Sequence, residues 1–171
     1  MSTLVVENLK GPTTGSNANK IIVPSGQELL ASGHIVQVVE TVSDSWTSTT
    51  STSFASTGLS ASITPSSTSS KIFIMVAFNG LYTVDAGAYI AFKLHKDTVA
   101  HTYMSTAHSQ GYIGWATSMA YTRLDSPSTT SSTSYEIYWR SGTGGTVGYN
   151  NYAIGGNNTT HSTITLMEVA G

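Results

Sequence analysis

Nowhere in this 171-residue chain does an apolar stripe of period 3.6 persist for three turns, whereas apolar residues recur in short runs at period two. A helix in a globular fold needs that continuous stripe to bury, so the pattern restricts the chain to strands. Alternation is clearest at Leu59, Ala61 and Ile63, and at Ile90, Phe92 and Leu94 against Tyr89, Ala91 and Lys93. It recurs at Ile164 and Leu166, where Met167 breaks the rhythm. Candidate strands are Ile35 to Val42, Thr49 to Phe54, Leu59 to Thr64, Ile72 to Tyr82, Ala88 to His95, Thr98 to Met104, Ile113 to Leu124, Ser134 to Arg140, Thr146 to Asn150 and Thr163 to Val169. Turn chemistry separates them at Thr57-Gly58, Asn79-Gly80, Asp85-Ala86-Gly87, Lys96-Asp97, Gly142 to Gly145 and Gly155 to Asn158. The expected fold is all-β, an antiparallel β-sandwich of jelly-roll-like form.

What covers such a sandwich is unusual. Ser and Thr supply 52 residues, and Lys, Arg, Asp and Glu together supply 16, or 9% against a usual value of about 25%. From Ser43 to Ser70 the only charge is Asp44, and from Ser126 to Ser134 there is none. Hydroxyls must therefore replace charges at the surface. A net charge of −2 gives copies of the chain little mutual repulsion, which favours self-association. Seven scattered basic residues cannot form the stripe that nucleic acid requires. The absence of cysteine removes disulfides, thiolate nucleophiles and Cys-type zinc sites together. No run approaches 18 apolar residues, so no membrane insertion is expected. The start, MSTLVVENLKG, lacks the basic and apolar regions of a secretory signal, which predicts release by lysis or assembly.

Residues 1–33 read as an extended arm and residues 34–171 as the sandwich head. The arm holds two short apolar pieces, Leu4, Val5, Val6 and Ile21, Ile22, Val23, around a turn-rich Gly11 to Asn19. So few apolar residues cannot make a core, and the arm suits docking on a neighbour or winding with copies of itself, with an N-terminal β-hairpin packed on its own domain as the alternative. In the head, Thr64-Pro65 and Ser126-Pro127 each open a hydroxyl loop leading into a strand. That near-repeat reads as corresponding hairpin ends of two sheets.

The segments "VQVVET", "GLSASITPSSTSSKIFIMV", "LDSPSTTSSTSYEIYWRS" and "STITLMEVAG", with the leader "LVVENLKG" and "NKIIVPSGQEL", resemble a family of bacteriophage virion proteins. These are small fibre or appendage proteins, common in phages of marine bacteria and cyanobacteria. The resemblance covers nearly the whole chain and implies a trimeric, β-structured component of the virion.

Catalytic constellations are sparse. His95 and His101, with Asp97 between them, could be drawn as a metal site, but the spacing lacks HxH or HxxxH, so no metal and no cofactor are expected. A GxSxG elbow is absent, the acidic residues are scattered, and the glycine tracts lack the Lys-Ser/Thr of a P-loop. The chain is not expected to be an enzyme. Loop aromatics are the better candidates: Tyr103, Tyr112, Trp115, Tyr121, Tyr149 and Tyr152 are candidate ligand or interface contacts, with core packing as the alternative. Phe92 and Trp139 read as core. Together these readings predict a homotrimeric virion structural protein, a tail fibre or capsid decoration. Its arm would join it to another virion protein, and its head would contact a host glycan or protein. A carbohydrate-binding, lectin-like module is the alternative.

Overall fold

The alternation of the sequence is carried directly into burial. In a computed structural model of the protein, which describes residues 12–16, 18, 31–85, 87–108, 117–150 and 160–171, no described residue is helical. The described strands are β1 (Ile35–Ser43), β2 (Thr47–Thr49), β3 (Ala55–Ile63), β4 (Lys71–Thr83), β5 (Tyr89–Lys96), β6 (Val99–His108), β7 (Thr117–Asp125), β8 (Thr133–Ser141), β9 (Val147–Tyr149) and β10 (Ser162–Val169). The chain divides into two units, Met1–Ala31 and Ser32–Gly171. In the first, the Ala18 amide donates to the Gly15 carbonyl at 3.1 Å to close a turn. Leu4, Val5, Val6, Ile21, Ile22 and Val23 lie outside the described residues.

All strand pairs are antiparallel, and they nest. β1 pairs with β10, β2 with β9, β3 with β8, β4 with β7 and β5 with β6. The first half of the head is thus laid against the second half in reverse order. Further pairings of β4 with β10 and β9, and of β5 with β8, gather the strands into two sheets. One is six-stranded, ordered β1-β10-β4-β9-β2 with β7 on β4, and the other is four-stranded, ordered β3-β8-β5-β6. The head is an antiparallel β-sandwich.

The core lies between the sheets. Ile72, Ile74, Val76 and Phe78 of β4 and Ile164 and Leu166 of β10 form one cluster with Leu59, Ile63, Ile90, Phe92, Leu94, Tyr135, Ile137 and Trp139 of the four-stranded sheet. Phe78 stacks on Phe92 across the sandwich at 4.7 Å. Tyr149 meets Phe78 and Trp139 edge-on at 5.2 and 5.3 Å, each such pair contributing about 0.5–1.5 kcal/mol beyond its buried area. The Tyr149 hydroxyl donates to the Thr57 carbonyl at 2.9 Å. That carbonyl sits in a bulge where Gly58, at φ +82°, supplies a left-handed conformation.

Both ends of the six-stranded sheet's inner face are polar. At one, Ser162 donates to Asn150 Oδ1 at 2.6 Å and accepts from the Asn79 amide at 3.1 Å. Asn150 Nδ2 donates to the Ser43 carbonyl at 2.7 Å. At the other, one row in register carries Gln37, Glu168, Ile72 and Asp125, so two carboxylates flank an isoleucine.

Several expectations change. Thr57-Gly58 and Asn79-Gly80 lie within β3 and β4, at irregularities of their ladders, and do not separate strands. The segment Thr49 to Phe54 is not a strand: β2 stops at Thr49. Its backbone is captured locally, with the Ser51 amide donating to Thr49 Oγ1 and the Ser53 amide to Ser51 Oγ, so hydroxyls compete successfully with a ladder. The proline loops are not hairpin ends within sheets. Thr64 to Ser70 carries the chain from β3 to β4, and Ser126 to Ser132 carries it from β7 back to β8, each crossing between sheets. They lie side by side, because Ile63 pairs with Thr133 and Ile72 with Asp125.

The β5–β6 hairpin turns through Asp97 and Thr98, both with positive φ (48° and 69°), as a two-residue primed turn requires. A β-branched residue is strained there by about 1–3 kcal/mol, more than glycine's entropic cost of about 0.5–1 kcal/mol. Thr98→Gly is therefore expected to raise the unfolding free energy by about 1 kcal/mol in urea titration. A lower midpoint would refute the strain.

Candidate functional site

The outer faces of the two sheets differ. On the six-stranded sheet the outward positions form rows in register: Ile35, Val169 and Lys71; then Val38, Met167, Phe73 and Leu124; then Glu40, Thr165, Met75 and Thr122; then Val42, Thr163, Ala77 and Ala120. The second row is wholly apolar across four strands. Ile35, Val38, Val42 and Leu124 are each at least half exposed. Glu40, which accepts from Thr165 Oγ1 at 3.0 Å, and Lys71 are the only charged residues in these rows.

The four-stranded sheet presents rings and cations instead. One row sets Tyr103 of β6, Lys93 of β5, Tyr138 of β8 and Ser56 of β3 opposite one another. The Lys93 ammonium lies 4.1 Å from the Phe54 ring centre and 4.4 Å from that of Tyr103. Those two rings meet edge-on at 5.9 Å. The Arg140 guanidinium lies 5.2 Å from the Phe54 ring centre and donates from Nη1 to the Thr52 carbonyl at 3.3 Å. Phe54 reaches this place because the hydroxyl-bonded segment before β3 folds along the end of β8, where the Ser141 amide donates to the Ser51 carbonyl at 2.8 Å.

Beside this cluster the His95 ring stacks on Tyr138 at 3.6 Å, nearly parallel. His95 Nδ1 is 3.1 Å from the Thr98 carbonyl, which can only accept, so Nδ1 carries a proton. Glu136, on the same face of β8, accepts a hydrogen bond from Ser56 Oγ. Neither Lys93 nor Arg140 has a carboxylate partner among the described residues, where the ion pairs are Lys96 and His101 with Asp125. The face thus offers ring surfaces and unneutralised donors.

Of the aromatics expected as contacts, the structure brings Tyr103 to this face, two-thirds exposed. Tyr121 is half-buried on β7 and packs against the core. Tyr149 is enclosed in the core, as are Phe92 and Trp139, so its ring is unavailable to a surface ligand. Tyr112, Trp115 and Tyr152 lie outside the described residues. Sequence reasoning missed Phe54, Lys93, His95, Tyr138 and Arg140 as members of one site. The available signal was the alternation of Glu136, Tyr138 and Arg140 with buried Tyr135, Ile137 and Trp139, which marks a polar and aromatic outer face.

His95 and His101 serve different partners, the Thr98 carbonyl and Asp125. Among the described residues, no three His, Cys, Asp or Glu side chains gather as a metal-binding group. No protein-family model matches the chain, and no curated protein matches it.

Proposed function

We propose that this chain is a structural component of the bacteriophage virion surface, a homotrimeric fibre head or capsid decoration that performs no catalysis. The observation that carries this reading is the contrast between the two outer faces of the sandwich. A sheet with an apolar row across four strands is suited to burial against copies of itself, and the opposite sheet is left to face outward. Strand spacings of about 4.8 Å and 7 Å between outward rows give the whole outer face, centred on its apolar row, roughly 500 Å² per chain, so a pair of such surfaces buries about 1,000 Å². That meets the lower bound of about 1,000 Å² for a specific interface. Three faces turned toward one axis would bury the apolar rows of all three copies.

Further support comes from the nested strand order, which we read as a jelly roll, an architecture used by viral capsid and lectin domains. The sequence resemblance to virion fibre proteins points the same way. In this reading the N-terminal arm joins the head to a neighbouring virion protein by strand addition or wrapping.

Light scattering at micromolar concentration is expected to give three times the chain mass. The double variant Val38→Lys, Leu124→Lys places charges on both flanks of the apolar row and is expected to shift that mass to the monomer without unfolding the head. A wild-type monomer would remove the trimer, and absence of the chain from purified phage particles would remove the virion assignment. The exposed rings favour a second reading, a lectin-like module. An armless monomeric head that retains full glycan binding would support it.

A further inference from the structure

We propose that the Phe54, Lys93, Tyr103 and Arg140 cluster binds a carboxylated saccharide chain. The proposal rests on the reading that this face is directed outward, and it names the chemistry recognised there. In a chain of net charge −2 with only seven basic residues, Lys93 and Arg140 converge on the Phe54 ring, and neither has a carboxylate partner among the described residues. Elsewhere, Lys96 is neutralised by Asp125 at 2.9 Å. A neutral sugar would gain little from two unneutralised cations, whereas a sugar carboxylate would be held by the Lys93 ammonium and by the guanidinium N–H groups of Arg140 that Thr52 leaves unused. The ring contacts hold the Lys93 ammonium in place before a ligand arrives, so less side-chain freedom is lost on binding.

Tyr103 is the exposed ring beside the Lys93 ammonium. It offers an apolar surface for a pyranose and a hydroxyl at its rim. Tyr138 and His95 extend the surface along the sheet, since Tyr138 is the register partner of Lys93 and stacks on His95. An open sheet face of this kind suits an extended polymer, unlike the enclosed pockets that bury small ligands. Two permanent cations are too few for the phosphate spacing of a nucleic acid, which needs a basic stripe.

The test uses the full-length chain with oligogalacturonate and oligosialate as carboxylated probes, dextran as the neutral control and dextran sulfate as a source of charge alone, by isothermal titration calorimetry. At least one carboxylated probe is expected to bind, more weakly at 200 mM than at 50 mM salt, with dextran silent and dextran sulfate weaker. Lys93→Gln and Tyr103→Ala are each expected to weaken that binding about tenfold with the thermal midpoint nearly unchanged. Silence toward both carboxylated probes overturns the proposal. So does undiminished binding by both variants, or stronger binding to dextran sulfate. Binding by a chain found in no phage particle would leave this site standing and remove only the virion reading. A particle-borne chain that ignores both probes would do the reverse.

Discussion

Asp125→Ala is expected to destabilise the head by about 3 kcal/mol, because one carboxylate at the edge of the core holds three strands of the opposite sheet. Asp125, buried at the end of β7, accepts from the Lys96 ammonium at 2.9 Å and from the Tyr135 hydroxyl at 2.7 Å. His101 Nε2 stands 3.3 Å from its other oxygen, an ion-pair distance without hydrogen-bond geometry. Removing one member of a buried pair leaves the other charge uncompensated, at a cost of about 3–5 kcal/mol. The lower end applies because Lys96 retains some water contact. The Tyr135 hydroxyl would also lose its acceptor inside the core, adding to the loss.

The pH response of this site has a definite sign. Burial pushes the Asp125 carboxyl up, but hydrogen bonds from Lys96 and Tyr135 and the charges of Lys96 and His101 outweigh it and hold the group below its ordinary value of 3.8. Its stabilisation is therefore present above that value and is lost as the pH falls through the depressed one. Urea titration at pH 7 measures the substitution. A loss below about 1 kcal/mol would show that the sheets are joined by the apolar core alone. Burial, followed by Asp125, pushes the Tyr135 phenol up, so it remains a donor throughout this range.

Glu168→Gln is expected to cost about 3 kcal/mol at pH 7 and to flatten the acid limb of the stability curve. Glu168 is fully buried on the inner face of β10, and no cation pairs with it among the described residues. It accepts instead from Gln37 Nε2 at 2.6 Å, from the Ser66 amide at 2.8 Å and from Ser66 Oγ at 2.6 Å, with a further hydrogen bond from Ser70. Burial alone would raise this carboxyl, yet the donors from Gln37, Ser66 and Ser70 bring it down from 4.5 to about 2. That difference corresponds to about 3 kcal/mol of stability. It is fully present above pH 4.5 and disappears as the pH falls through about 2. An amide at position 168 would turn one donor toward other donors and could not ionise. Denaturation curves between pH 7 and pH 2 should therefore converge for the two proteins. Curves that stay parallel would remove the ionised Glu168 from the explanation.

These two carboxylates separate local from tertiary information. Strand positions were legible because period two and turn chemistry are properties of a few neighbouring residues. Leu59, Ala61 and Ile63 declare one face of β3 before any partner is known, and all three are buried. Phe92 and Trp139 were legible as core for the same reason. The hydroxyl-rich composition also acted locally. It bonded loop backbone to itself at Ser51 and Ser53, ended β2 early and carried Phe54 to the outer face.

The sequence by itself determined an all-β head, the positions of most of its strands and the core placement of Phe92 and Trp139. Tertiary structure decided which strands pair, that the Pro65 and Pro127 loops cross between sheets, and what each charged group meets. Gln37 and Glu168 are 131 residues apart in the chain, and Tyr103 meets Phe54 only because the segment before β3 folds along the end of β8 and lays its ring on the face that β6 shares. The physical reason is that alternation specifies which way a side chain points but carries no address for the strand beside it. A buried carboxylate or an exposed cation takes its chemistry from that neighbour.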